Sequence, residues 1–187
     1  SLAAISATLA VGIPLQTASQ ALGKIAGVPG RMERVPNNRG ITILIDYAVT
    51  PHALEALYGL VAKMKSSKES KIIAVFGACG DRDRGKRPIM GEIVSSYADI
   101  VILTNEDPYT ENPSRIVREI KHGISNKIPR ETIFVIMDRR KAIGKALRLA
   151  NPGDVVVVTG KGAEETMAIG KKRIPWNDQR VILEELQ

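Results

Sequence analysis

The sequence predicts an α/β domain built on a Rossmann-like, mostly parallel sheet with helices on both faces. Three observations carry this. Short continuous apolar runs recur at Ile41–Ile45, Lys71–Phe76, Ile100–Thr104, Ile133–Met137 and Val155–Thr159. Helical periods follow them, and continuous apolar strands of this kind are buried on both faces of a parallel sheet. The segments just beyond the five runs are all polar or glycine-rich, whereas the opposite connections are commonplace, so one sheet edge carries the chemistry.

The elements follow in order. Leu2, Ile5 and Leu9 fall on one helix face at spacings of three and four, and a second short helix carries Ala18, Ala21, Leu22 and Ile25. The two are broken at Gly12-Ile13-Pro14. Strand-like runs at Arg31–Val35 and Ile41–Asp46 are joined by Pro36-Asn37-Asn38-Arg39-Gly40, a loop rich in turn formers, where we place a domain boundary. Thr50-Pro51 supplies an N-cap and first-turn proline for a helix with Leu54, Leu57, Val61 and Met64 inward. A helix over Pro88–Tyr97 is expected to turn Ile89, Ile93 and Tyr97 inward. Further helices are expected over Ser114–His122 and Arg140–Ala150, and a closing helix capped by Asn177 or Asp178. Val155–Thr159 is the last clear strand.

Composition bounds the function. At 187 residues, 44% hydrophobic and 25% charged, the chain is an ordinary globular protein. Aromatics make up only 4%, which argues against the base-stacking surface of a single-strand binder. The net charge of +7 is spread rather than clustered, which favours anionic small molecules over nucleic acid. One cysteine, Cys79, excludes an internal disulfide and fits a reducing cytoplasm. The run Ser1 to Leu15 lacks a basic leader and falls short of the roughly 20 residues that span a bilayer. A chain that opens inside a helical pattern reads as a fragment of something longer.

Four segments bear chemistry. Gly77 to Arg87 packs four basic and two acidic side chains among glycines, suiting a carboxylate or phosphate ligand. The plain alternative is a salt-bridged surface turn. It is neither a dinucleotide fingerprint nor a Walker A loop, because the spacing fails. Thr159-Gly160-Lys161-Gly162-Ala163-Glu164 superficially resembles a phosphate loop, with a simple strand-to-helix turn as the alternative. Pro29-Gly30-Arg31, with Asp46 at the end of the next strand, offers a cation and a carboxylate. Glu106-Asp107-Pro108-Tyr109 completes the edge. His52 and His122 are expected to face solvent without metal-type partners, Asp99 and Asp154 to be turn residues, and Trp176 is given no role.

Together these segments resemble the Mur ligases, and within them the branch that adds the third residue of the peptidoglycan stem peptide. The matching pieces keep the family's order: Leu2-Ala3-Ala4-Ile5, Pro29-Gly30-Arg31-Met32-Glu33, Asp46-Tyr47-Ala48-Val49-Thr50-Pro51, Gly80 to Pro88, Glu106-Asp107-Pro108-Tyr109 and Gly160-Lys161-Gly162-Ala163-Glu164. The resemblance implies that residues 1–36 are the tail of a central ATP-binding domain and 37–187 a whole C-terminal domain. It implies a cytoplasmic, monomeric ligase of cell-wall synthesis that uses ATP and Mg2+. Its partners would be a UDP-MurNAc-dipeptide and a free amino acid, with neither nucleic acid nor membrane. ATP would phosphorylate the dipeptide carboxylate, and the amine of lysine or meso-diaminopimelate would displace phosphate.

The resemblance also implies roles for single residues. Arg31 would reach ATP phosphate and Asp46 would hold the ribose hydroxyls, which suits a guanidinium fork and an acceptor-only carboxylate. Arg82 would contact the amino acid. Asp107 stands where the family has a substrate-contacting asparagine, and Gly160 and Glu164 match the pair at the ammonium and carboxylate end. No residue is assigned to catalysis or to metal, whose ligands are expected upstream of Ser1, so the chain alone should not turn over.

The departures concern specificity. Diaminopimelate ligases carry Asp-Asn-Pro-Arg, whose arginine grips the distal carboxylate, and here Tyr109 replaces it while Asp107 adds charge. Lysine is therefore the expected substrate unless another arginine, such as Arg84 or Arg115, fills the gap. Val49 and Ala163 each stand where the family often has histidine. Folylpolyglutamate synthetases share the architecture but not the charged loop, and a stand-alone binding module for amino acid or nucleotide is the reading from another class.

Overall fold

The structure, a computed structural model, describes residues 2–187, and Ser1 lies outside the described residues. Helices α1 (Leu2–Ala10) and α2 (Leu15–Gly23) form a helical pair joined through the expected break. They enclose a small apolar cleft between Ile5, Ala18, Leu22 and Ile25, yet α1 buries no residue and Leu2, Val11 and Leu15 are exposed.

Strands β1 (Glu33–Arg34), β2 (Thr42–Asp46), β3 (Ile72–Phe76), β4 (Ile100–Leu103), β5 (Ile133–Val135) and β6 (Val155–Thr159) form one sheet in the order β1-β2-β6-β3-β4-β5. Only β1 runs antiparallel. The α/β expectation holds, with β1 as the antiparallel edge.

One face is covered by α3 (Pro51–Ala62), α4 (Lys86–Tyr97) and α5 (Pro113–Lys121), over a core of Leu44, Leu57, Ala74, Met90, Val101 and Val157. The other is covered by α6 (Arg139–Leu149) and α7 (Asp178–Glu185), over Ile43, Ile73, Ile102, Val156 and Val158. Alternate residues of each strand thus serve opposite cores, as continuous apolar runs require. The expected caps hold at Thr50 and Asn177, and Asn112 and Asp138 cap in the same way without having been anticipated: each side chain accepts from a first-turn N–H group.

Two expectations need correction. Helix α4 turns Met90, Val94 and Arg87 inward, and Ile89 is 48% exposed. The helix starts two residues early and its buried line runs through Arg87, Met90 and Val94, while Ile93 and Tyr97 pack partly buried against the same core as expected and only Ile89 turns out. A two-stranded antiparallel hairpin, β7 (Thr166–Ile169) and β8 (Lys172–Pro175), was not anticipated beyond β6. Every residue of β8 is exposed, so it lacks the apolar alternation that announces a strand.

Asp99 and Asp154 do more than end turns. Asp99 accepts from Ile72 N at 2.8 Å, and Asp154 from Lys71 N at 2.7 Å and Asn151 N at 2.9 Å, so both seal the strands' N-terminal edge.

Candidate functional site

The register of the sheet assembles the site. Asp46 pairs with Thr159, Val75 with Val158 and Phe76 with Leu103, so β2, β6, β3 and β4 end level. The segments starting at Tyr47, Gly160, Gly77 and Thr104 therefore lie side by side along one edge. Strand β6 is inserted between β2 and β3 although it is the last of the six along the chain, which makes a switch in winding at this edge, the usual place for a ligand crevice.

Packing between these segments is tight. Gly160 has φ of +110°, and a Cβ on it would meet Glu106 Oε2 at 2.3 Å. A Cβ on Gly80 would meet the Pro108 carbonyl oxygen at 1.9 Å, while Gly80 N donates to Asp107 O at 2.7 Å. Glycine is required at both positions.

On the first side of the edge, Arg31 is exposed and its guanidinium lies 4.8 Å over the Tyr47 ring. Asp46 accepts from Met32 N at 2.8 Å through one carboxylate oxygen. Tyr47 donates its hydroxyl to Glu164 at 3.4 Å. Burial raises the Tyr47 pKa and the Glu164 charge raises it further, so the phenol stays a donor. Arg31, Tyr47, Glu164 and Ala163 line one cleft of about 340 Å³.

The centre of the edge is a buried charge cluster. Lys161 is fully buried, and its ammonium donates to both Asp107 oxygens at 2.8 and 2.9 Å and to Glu164. Burial pulls its pKa down, but the bonds to Asp107 and Glu164 outweigh that and keep it charged. The phosphate-loop likeness is thereby corrected: Lys161 is committed internally, and its segment leads into the hairpin rather than a helix. Asp107 also accepts from Ala168 N at 2.8 Å, tying β7 to this cluster.

Glu106 is buried beside it. Burial raises its pKa, against the Cys79 hydrogen bond and the Arg139 charge, which lower it. Cys79 donates its thiol to Glu106 Oε1 at 3.0 Å, and burial, then the Glu106 charge, push the thiol pKa far up. Sequence reasoning gave neither residue a role, since a Glu at a strand end looks like any surface acid.

The third part is the charged loop, and its cations divide. Arg87 is fully buried, donating to Glu111 at 2.8 and 2.9 Å, Glu119 at 2.6 Å and the Cys79 carbonyl at 3.0 Å. Arg84 also pairs with Glu119, and Arg115 reaches it at 3.2 Å. Lys86 donates to the Val49 carbonyl at 2.9 Å. For these residues the salt-bridged turn is the right description. Arg82 differs: it is exposed, its guanidinium lies 5.2 Å over the Tyr109 ring, and among the described residues it donates only to its neighbour's carbonyl, Asp81 O, at 3.0 Å. A larger cleft, about 670 Å³, lies elsewhere, between Arg84, Pro88, Arg118 and His122 beside α4 and α5. It gathers none of the six residues singled out from the sequence.

His52 and His122 are exposed, as expected. Trp176 is partly buried against the α6–α7 core and donates to Asp178 at 2.8 Å. Among the described residues no group of three His, Cys, Asp or Glu side chains is placed to hold a metal ion.

Residues 30–162 match the model of the family described as Mur ligase, glutamate ligase domain. The chain belongs to the Mur ligases. A relative from Clostridioides difficile (strain 630), named UDP-N-acetylmuramoyl-L-alanyl-D-glutamate--2,6-diaminopimelate ligase, is 43% identical over 96% of this chain and 36% of its own length. A solved structure of a ligase of the same name superposes with a TM-score of 0.77 at 35% identity, covering 99% of this chain and 37% of that one. The bifunctional folylpolyglutamate synthase/dihydrofolate synthase from Yersinia pestis aligns with a TM-score of 0.60 at 21% identity over 80% of this chain, a likeness of fold alone. The chain spans about a third of the length of these ligases.

Proposed function

We propose that this chain is the amino-acid-binding, ATP-closing C-terminal part of a ligase that joins a diamino acid to UDP-MurNAc-dipeptide through an acyl phosphate. Residues 37–187 would form that domain and 1–36 the tail of a central domain, a division supported by the exposed apolar faces of α1 and α2. The observation that carries the reading is the shared cleft of Arg31, Tyr47 and Glu164. A guanidinium for phosphate and a carboxylate for ammonium on one wall are what aminolysis of an acyl phosphate needs, because amine and phosphorus-bearing carboxyl must meet.

In this reading Arg31 neutralises phosphate charge, and the free oxygen of Asp46 accepts from a ribose hydroxyl. Glu164 orients the incoming amine, and Gly160 keeps the backbone close enough for approach. Asp107 acts one step back, holding Lys161 and the hairpin rather than touching substrate. ATP supplies the phosphoryl group, and Mg2+ would be held by residues outside this chain. The protein would work as a cytoplasmic monomer.

The third residue is best read as 2,6-diaminopimelate, on the names of the relatives. The lysine expectation rested partly on the charge of Asp107, and Lys161 neutralises that charge. Arg84 and Arg115 are both held by Glu119, so neither fills the place of the missing arginine. Lysine stays the second reading because Tyr109 carries no charge. Phosphate release with UDP-MurNAc-dipeptide, ATP and each amino acid in turn tests both. Release with neither amino acid in the full-length ligase refutes the proposal, and the isolated chain is expected to show no turnover.

A further inference from the structure

Residue Tyr109 is built in more firmly than a loop tip needs. Its φ of +48° places it in the left-handed region, where a bulky side chain is rare. Its carbonyl accepts from Gly170 N at 2.8 Å, and its backbone bridges Ile169 of the hairpin. On the other flank Thr110 donates N–H and hydroxyl to Asp81 at 3.1 and 2.9 Å, and Asp81 N donates to Glu111 at 2.7 Å. The loops after β3 and β4 are thus laced together on one side of the Arg82–Tyr109 contact, and the hairpin holds the other.

The contact also differs from every other one made by this loop's arginines. Arg84 and Arg87 are neutralised by Glu111 and Glu119, while Arg82 has no carboxylate within 4.0 Å among the described residues. A ring face attracts a guanidinium without cancelling its charge or occupying its N–H fork. The cation is held in place and left free to bind.

We propose that Tyr109 is a positioning residue that holds the Arg82 guanidinium ready for a carboxylate of the incoming amino acid. The proposal rests on the ligase reading above. Tyr109 does not touch the substrate. It removes rotamer freedom from a long exposed side chain that would otherwise be ordered only on binding.

The test is a double-mutant cycle in the full-length ligase, with NMR of the Arg82 Nε–Hε group as a readout that needs no turnover. In Y109L, which keeps bulk and loses the ring face, the amino-acid KM should rise about threefold to fivefold with the ATP KM unchanged, as expected for one exposed cation–ring contact. In Y109F the KM should stay within twofold. In R82A the further change Y109L should have no added effect, because the two act as one. The Arg82 Hε resonance should be shifted upfield by the ring, keep that shift in Y109F and lose it in Y109L. An unshifted resonance overturns the proposed geometry whatever the kinetics. A shifted resonance with unchanged KM in Y109L, or additive effects of Y109L and R82A, overturns the positioning role. Absence of ligation in the unaltered protein, with the shift intact, defeats the ligase reading instead.

Discussion

Four arginines along one sheet edge are held in two different ways. Arg87 and Arg139 are buried and bound to carboxylates: Arg87 to Glu111 and Glu119, and Arg139 to Asp178 at 2.6 and 2.9 Å with a further bond to Thr159 O at 2.9 Å. Arg31 and Arg82 are exposed and lie over Tyr47 and Tyr109. A carboxylate satisfies a guanidinium and removes it from chemistry, whereas a ring face steers it and leaves its charge for a ligand. The first pair should therefore matter to stability and the second to binding.

The largest effect should come from breaking a buried pair. D178A leaves Arg139 charged and unpaired inside the protein and should cost about 3–5 kcal/mol, read as a lowered urea midpoint. R87A should cost a similar amount, since it strands two glutamates and the Cys79 carbonyl. R31A and R82A should shift stability by no more than about 0.5 kcal/mol. A large loss of stability in either would erase the distinction between the two pairs.

Acid should separate the groups next. The Arg87 hydrogen bond holds Glu111 at a pKa of about 2, and the Arg84 hydrogen bond, with Arg87 behind it, does the same for Glu119, against an ordinary 4.5. Because the folded pKa values are depressed, their stabilisation is fully present above about pH 4.5 and is lost as pH falls toward 2. The E111Q/E119Q double variant should lose stability at pH 7 and show a flatter decline through that window. A decline as steep as in the unaltered protein would contradict the assignment.

The smallest effect concerns Cys79. Its thiol is half-buried and donates to Glu106, so alkylation at pH 8 should be much slower than for a free thiol. E106A should speed it, and no change would mean that access alone limits the reaction.

Much of this was legible in the sequence, and the exceptions share a cause. Continuous apolar runs such as Val155–Thr159 fixed the strands because burial on both faces leaves no alternative. Thr50-Pro51 and Asn177 announced helix starts through their capping chemistry. The edge itself was readable because its glycines and charges stood just past the runs. What each charge does there was not readable. Arg82, Arg84 and Arg87 look alike in a row, and their division depends on Tyr109 and Glu111 of the next loop and on Glu119 of α5. Lys161 looked like a phosphate ligand until Asp107 reached it across the sheet. The hairpin was missed because its second strand is exposed throughout.

The most direct measurement is the amino-acid KM and the urea midpoint of R82A and R87A, side by side, in the full-length ligase. The account predicts that R82A raises the KM at least tenfold with a native midpoint, while R87A lowers the midpoint sharply. A native KM in R82A, or a midpoint in R82A as low as in R87A, would contradict it.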